Sequence, residues 1–159
     1  MHLRRGILPV ALVAVDMKPC IYLTGSLRNP RVPAIANEIE SWGTWEAFDA
    51  WYSASERADD CWQYHETLRG RSYFEAIEGY HAWHVYRFDK YHLDRSTASL
   101  LVLPAGRSCH IEFGYSIGQG KPGFVLFDGY YPERYDVMYR FATKVCRDTS
   151  QLKEELAKL

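Results

Sequence analysis

Short apolar, β-rich runs alternate with helical stretches along this chain, and that alternation limits the possible folds more than any other feature. Cys20-Ile21-Tyr22-Leu23-Thr24 is the first such run, and it ends at Gly25-Ser26, a place for a tight strand-to-helix turn. Pro30 and Pro33 then bracket a helix start, because proline is accepted in a first helical turn. Ile35, Ile39 and Trp42 recur at i, i+4 and i+7, which is one helical face, and Gly43 ends it. Trp45 to Phe48 reads as a short second strand. Residues 49–70 are the least regular stretch and mix Asp49, Trp51, Tyr52, Asp59, Asp60, Trp62, Arg69 and Gly70. A long segment of this kind inside a compact domain is usually functional, and it reads as a substrate cover with some helix.

Residues 72–95 read as helical, with a break near Gly79. Leu100 to Leu103 is fully apolar, as expected of a strand in the centre of a parallel sheet. Pro104 to Ser108 is the next turn. Cys109 to Gln119 is helical and stops at Gly120-Lys121-Pro122. Phe124 to Phe127 is another strand, Pro132 starts a short helix to about Phe141, Lys144 to Cys146 is a last strand, and Ser150 to Leu159 a terminal helix. The expected architecture is an α/β single domain with a doubly wound, five-stranded parallel sheet. Ligands of such sheets bind beyond the carboxyl ends of the strands, which singles out the turns at 25–30, 49–60, 104–109 and 128–136.

Composition narrows the function classes. The 159 residues suit one domain. Net charge is −1 with no basic block, so the electrostatic footprint of a nucleic-acid polymer binder is missing and a small ligand is expected. Five Trp and twelve Tyr suit a core and also stacking on flat ligands such as bases. Cys20, Cys61, Cys109 and Cys146 form no C-x-x-C pair, so they read as buried free thiols in a reducing, cytoplasmic compartment. Arg4 and Arg5 precede an apolar run, Ile7 to Val15, with no small-x-small cleavage site before Met17. That run is too short to cross a bilayer. Residues 1–16 therefore read as a dispensable extension ahead of a domain from 17 to 159, with a short signal peptide as the alternative, and no membrane partner is expected.

Three constellations carry candidate chemistry. Gly25-Ser26-Leu27-Arg28-Asn29 opens a helix, where backbone N–H groups favour anions and Arg28 offers a bidentate contact to phosphate. It lacks a full phosphate-loop or dinucleotide fingerprint, so a plain turn and an anion site both stand. Gly106-Arg107-Ser108-Cys109-His110-Ile111-Glu112 places Glu112 in the first turn of a helix, where the dipole favours its charged form. Such a carboxylate is a candidate nucleophile or base, and the plainer reading is a complement to the helix end. Asp89 and Asp94, with His92 between them, offer a second acid; the alternative is a solvated helical face. His81, His84 and Glu78 lack an obvious further ligand, so no metal site is expected. No Gly-x-Ser-x-Gly elbow is present.

Together these motifs resemble the nucleoside 2-deoxyribosyltransferase superfamily, including its 2′-deoxynucleoside 5′-phosphate N-hydrolase branch. The resemblance rests on Ile21-Tyr22-Leu23-Thr24-Gly25-Ser26-Leu27-Arg28, on Glu112-Phe113-Gly114-Tyr115-Ser116-Ile117-Gly118-Gln119-Gly120-Lys121-Pro122, and on Tyr135-Asp136-Val137-Met138. It covers the chain from about Ile21 to Cys146. It implies a Rossmann-like or flavodoxin-like fold and a Glu112 nucleophile that forms a covalent deoxyribosyl intermediate. It also implies Tyr22 beside that nucleophile, and Asp89 as the acid that assists base departure, with Asp94 as the alternative. Gly25, Ser26, Arg28, Trp51, Asp94, Gly106, Arg107, Ser108, Asp136 and Met138 would then contact substrate. No cofactor is implied, and the partners are a nucleoside or nucleotide, a free nucleobase, and further copies of the chain sharing active sites.

Three positions depart from the pattern. Ser99 stands where many members carry an acid, Gly106 where they carry Asp or Ser, and Asp136 where the hydrolases offer phosphate a hydroxyl. A carboxylate there repels phosphate. The expected activity is transfer of deoxyribose between nucleobases. The alternatives are hydrolysis of deoxynucleoside 5′-monophosphates and a non-catalytic nucleotide-sensing domain.

Overall fold

All six residues of strand β1, Cys20–Gly25, are buried, as are all five of β3, Ala98–Val102, and all four of β4, Gly123–Leu126. Strands covered on both faces need a helix layer on each side, and short parallel strands joined by helices meet that need. The computed structural model describes residues 18–50 and 58–159, with side chains described outside 58–60. The readings made for residues 1–16, Trp51 and Tyr52 lie outside the described residues.

Strands β2, Glu46–Phe48, and β5, Lys144–Cys146, complete one sheet in the order β2-β1-β3-β4-β5, with every pairing parallel. This is the doubly wound order of flavodoxin-like folds, whose direction of winding reverses between β1 and β3. The expected α/β five-stranded architecture is therefore what the chain adopts.

Period-two alternation divides the strand side chains between two cores. Ile21 and Leu23 of β1, Leu100 and Val102 of β3, and Phe124 and Leu126 of β4 meet helix α1, Arg31–Ser41, and the terminal helix, here α6, Thr149–Leu156. The opposite face carries Tyr22, Thr24, Leu101 and Val125. It is covered by α4, Tyr80–Arg95, through Leu93, and by α5, Arg107–Gly118, through Cys109 and Phe113. Two helices precede α4: α2, Ala58–Leu68, and α3, Tyr73–Ala76, which starts with a Ser72–Glu75 capping box. They pack on α4 through a polar centre. Glu66 is 1% exposed, accepts from Arg71 Nη1 at 2.8 Å and lies 2.6 Å from His81 Nδ1.

The Gly120-Lys121-Pro122 motif has a local explanation. Gly120 has φ +79°, the left-handed conformation that ends α5 at low cost. Lys121 Nζ donates to the carbonyls of Leu93 and Asp94 at 2.7 Å each and so caps α4. Its neighbour Gly123 lets β4 approach α5. A Cβ there would overlap Ile117 Cγ2 and lie 2.9 Å from Phe113 Cε2.

Two expected helix boundaries move. The helix expected from Pro132 to Phe141 is only a 3-10 helix, Val137–Phe141, with no buried residue. Without an apolar stripe against the core, so short a segment lacks the tertiary packing that sustains an α-helix. Helix α5 begins at Arg107, two residues before Cys109, because extended Gly106 serves as its N-cap. Among the described residues, no helix is long and apolar enough to cross a membrane.

Gly123→Ala is expected to destabilise the domain by about 1–3 kcal/mol, the usual cost of overpacking. Denaturant unfolding measures it, and a neutral substitution would contradict the close β4–α5 approach.

Candidate active site

The winding reversal between β1 and β3 leaves a crevice beyond their carboxyl ends, at Gly25 and Val102. Two loops border it: residues 26–30 and 103–106. Gly25 is required by packing, since a Cβ would stand 2.6 Å from Val32 Cγ2 and 3.4 Å from Val102 O. The first loop is held by its own polar groups. Ser26 Oγ accepts from Arg28 N at 3.2 Å, and Ser26 O accepts from Asn29 N at 2.8 Å. Buried Asn29 ties the two loops together, donating to Leu103 O at 3.4 Å and accepting from Arg31 N at 3.1 Å. The second loop contains a cis Leu103–Pro104 peptide.

Glu112 lies on the sheet-facing side of α5 and is partly buried. Thr24 Oγ1, at the end of β1, donates to Glu112 Oε2 at 2.6 Å. Because α5 begins at Arg107, Glu112 occupies its sixth position. The expected first-turn placement is therefore corrected to the second turn, where dipole support has faded. A hydroxyl donor supplies support there that the helix end does not. Thr24 was not singled out as a site residue in the sequence. The signal was present, because a hydroxyl closes an otherwise apolar strand on the face it shares with Tyr22.

Tyr22 lies two residues before Thr24 on that face, fully buried and stacked on Phe48 at 5.4 Å between centroids. Asp89 is partly buried in the middle of α4. It sits one turn before Leu93, which packs with Cys20, Tyr22 and Phe48, so it shares Leu93's sheet-facing side. His92 stacks on Phe48 at 3.9 Å and accepts from Arg95 Nε at 2.9 Å, on the β2 side of the sheet.

Asp94 is not brought to this crevice. It ends α4 at the opposite edge of the sheet, where it pairs with Lys90 at 2.5 Å and accepts from Tyr115 Oη at 2.7 Å and Gln119 Nε2 at 3.3 Å. Gln119 follows Glu112 by two turns of α5, about 10 Å along its axis. Ser99 is likewise distant from the carboxyl edge, fully buried opposite Tyr22 in the sheet.

The remaining predicted residues that are described lie on the crevice loops, at the start of α5 or in the 3-10 helix beside it. Arg28, Arg107 and Ser108 are exposed, and neither arginine forms an ion pair among the described residues. Among the described residues, nothing lies within 4 Å of where a Cβ on Gly106 would stand. Asp136 is turned to its own backbone, accepting from Met138 N at 2.9 Å, and Met138 is exposed. The 3-10 helix they introduce stands beside the first turn of α5, where His110 Nε2 and Tyr139 Oη are 3.2 Å apart. Trp51 lies outside the described residues.

Two further features lie at this edge. Arg31 Nε donates to Asp128 Oδ2 at 2.8 Å and joins the start of α1 to the residues after β4. Asp128 holds φ +44°, uncommon for a non-glycine residue. Asp49, just past β2, is partly buried, and burial pushes its carboxyl above the usual range. Glu40 of α1 adds to that rise, placing Asp49 near the layer opposite Glu112.

Cys20, Cys109 and Cys146 are buried free thiols, and Cys61 is exposed, which corrects the expectation that all four are buried. Burial pushes Cys20 and Cys146 up to about 11, so both stay protonated at neutral pH. Among the described residues, no group of three or more His, Cys, Asp or Glu is placed to hold a metal ion. The chain matches no protein-family model and no curated protein.

The Asp94 cluster makes a pH-dependent prediction. Hydrogen bonds from Lys90 and then Tyr115 hold its carboxyl at about 2, below the ordinary 3.8. A depressed carboxylate stabilises the fold above its unfolded value, and that contribution is lost as pH falls through the folded value. For so exposed a pair it amounts to about 0.5 kcal/mol. Asp94→Asn is therefore expected to lower stability by about that much at pH 7 and to lose its effect towards pH 2, as read by denaturant midpoints.

Proposed function

We propose that the chain is a nucleoside 2-deoxyribosyltransferase, with Glu112 as the nucleophile that cleaves an N-glycosidic bond of a 2′-deoxynucleoside. The observation that carries this reading is a partly buried carboxylate at the β1–β3 switch point, held by a short hydrogen bond from buried Thr24. The resemblance of the Glu112 helix and the Tyr22-to-Arg28 turn to that superfamily supplies the reaction class.

A Glu112 oxygen attacks C1′ of the sugar while the C1′–N bond breaks, and its electron pair leaves on the base. Asp89, on the sheet-facing side of α4, is the candidate acid that protonates the departing nitrogen. The deoxyribosyl ester is then attacked at C1′ by a nitrogen of a second base, its C–O electron pair returns to Glu112, and the proton of that nitrogen passes to the Asp89 carboxylate, which restores the acid. Two carboxyl groups with divided roles serve glycosidases in the same way. No cofactor is needed for this sequence.

Hydrolysis of 5′-monophosphates, with water as the acceptor, is the second reading. It is favoured by Arg28, exposed on the first crevice loop, and Arg107, exposed at the start of α5. The Asp136 carboxylate opposes it, because the bond it accepts from Met138 N leaves its negative charge in place.

Self-association belongs to the proposal as well. Ile111, Tyr135, Val137, Met138 and Phe141 expose apolar side chains beside the crevice, a concentration that marks interaction surfaces. Four free cysteines suit a cytoplasmic, reducing setting.

Chromatography of 2′-deoxynucleosides and their 5′-monophosphates, each with and without a second base, tests the reading. A new nucleoside formed only with the second base is expected; absence of base release from every substrate would overturn it. Glu112→Ala is expected to reduce base release on the order of 10³-fold or more while leaving the protein folded. A variant with wild-type turnover would remove Glu112 from the chemistry. Under the second reading, Arg28→Ala raises KM for 5′-monophosphates about 10-fold, the loss of one charge-assisted contact, and leaves deoxynucleosides unaffected. Equal KM changes for both substrates would contradict a phosphate contact.

A further inference from the structure

We propose that Thr24 is the positioning residue of the site, a buried donor that fixes the Glu112 carboxylate and holds it in its charged form. This deepens the assignment of Glu112 as nucleophile and rests on it.

The geometry is that of a charge-assisted bond. Thr24 Oγ1 lies 2.6 Å from Glu112 Oε2, within the range for a hydroxyl donating to a carboxylate. The same oxygen stands 3.5 Å from Cys109 O, too far to compete for the single proton. Thr24 is 1% exposed, and its strand partner on β3 is Leu101, so the donor end of the contact is shielded from water while the Glu112 carboxylate is partly buried. A β-branched side chain in a strand has restricted χ1, and this hydroxyl is therefore aimed before substrate arrives. Preorganised donors of this kind need no rearrangement at the moment of reaction.

The chemistry gives the contact a direction. A donor favours the ionised carboxylate over the neutral acid, and only the ionised form attacks C1′. The same preference acts in the second half of the reaction. As the C1′–O bond breaks, charge returns to Glu112, and Thr24 stabilises the departing carboxylate. A purely structural threonine, satisfied by the Cys109 carbonyl, would do neither.

Among the described residues, the other titratable or charged groups on the surrounding elements include Tyr22 of β1, Arg107, Cys109 and His110 of α5, Asp89 of α4, Arg28 of the β1–α1 loop, and Asp136 before the 3-10 helix. None is substituted in the Thr24 variants, and Cys109, whose thiol is pushed up by burial and also feels the Thr24 hydroxyl and the Glu112 charge, stays protonated at the acidic pH where a carboxylate titrates.

The test is an NMR titration of the Glu112 side-chain carboxyl, ¹³C-labelled at glutamate and assigned by its loss in Glu112→Gln, in the full chain. Thr24→Val, which keeps the shape and removes the donor, is expected to raise the titration midpoint by about one unit. Thr24→Ser, which keeps the donor, should stay within a few tenths of wild type. Thr24→Ala replaces the valine variant should that fail to fold. An unchanged midpoint in the donor-free variant overturns the proposal, and so does an equal shift in the serine variant. The titration needs no substrate, so it decides the role of Thr24 even if the glycosidic reading fails. Where turnover is present, the donor-free variant should lose kcat about 10-fold with little change in KM. A change confined to KM would contradict a role exerted through Glu112.

Discussion

Burial of a parallel sheet on both faces is the constraint from which the rest follows. Backbone groups of β1, β3 and β4 are satisfied by neighbouring strands, and their side chains by helices on either side. Both layers must return the chain to the amino edge after each strand. With this strand order, the chain winds one way from β1 to β2 and the other way from β3 onward. The two loops that leave β1 and β3 therefore diverge and open a crevice between them. Site chemistry gathers there because topology leaves the space.

Helix α5 turns that space into a candidate site. Gly106 starts it early, Cys109 and Phe113 bury its inner face, and Gly123 lets β4 come close beneath it. Those packing contacts set the rotation of α5, and the rotation delivers Glu112 to Thr24 across 88 positions of sequence. Arg31 and Asp128 tie α1 to the end of β4, while Asn29 ties the β1 and β3 loops together. The carboxylate is thus held by elements that the core has already fixed, which is the condition for accurate placement of a reacting group.

Much of this was legible in the sequence, and the exceptions have physical causes. The strands were readable because fully buried parallel strands are written as apolar runs, as in Leu100 to Leu103. Gly25 and Gly106 marked both crevice loops. The reading of Pro132 to Phe141 as an α-helix failed because prolines signal where a helix can start but not whether a core supports it. Placing Glu112 one turn too early came from starting α5 at an apolar residue, whereas the cap was a glycine. Asp94 drew interest by proximity to Asp89 in sequence. Five residues of helix are more than a full turn, and they carry Asp94 towards the opposite edge, into a cluster with Lys90 and Tyr115. Thr24 escaped notice because its partner is remote in sequence, and only the tertiary fold joins them.

The central claim is that Glu112 bonds covalently to the sugar, and intact-mass analysis tests it most directly. The protein would be mixed with a 2′-deoxynucleoside, quenched in acid and digested for peptide mapping. The account predicts a deoxyribosyl adduct on the peptide that contains Glu112, and its absence in Glu112→Ala. Base release without any adduct, retained by the alanine variant, would contradict it.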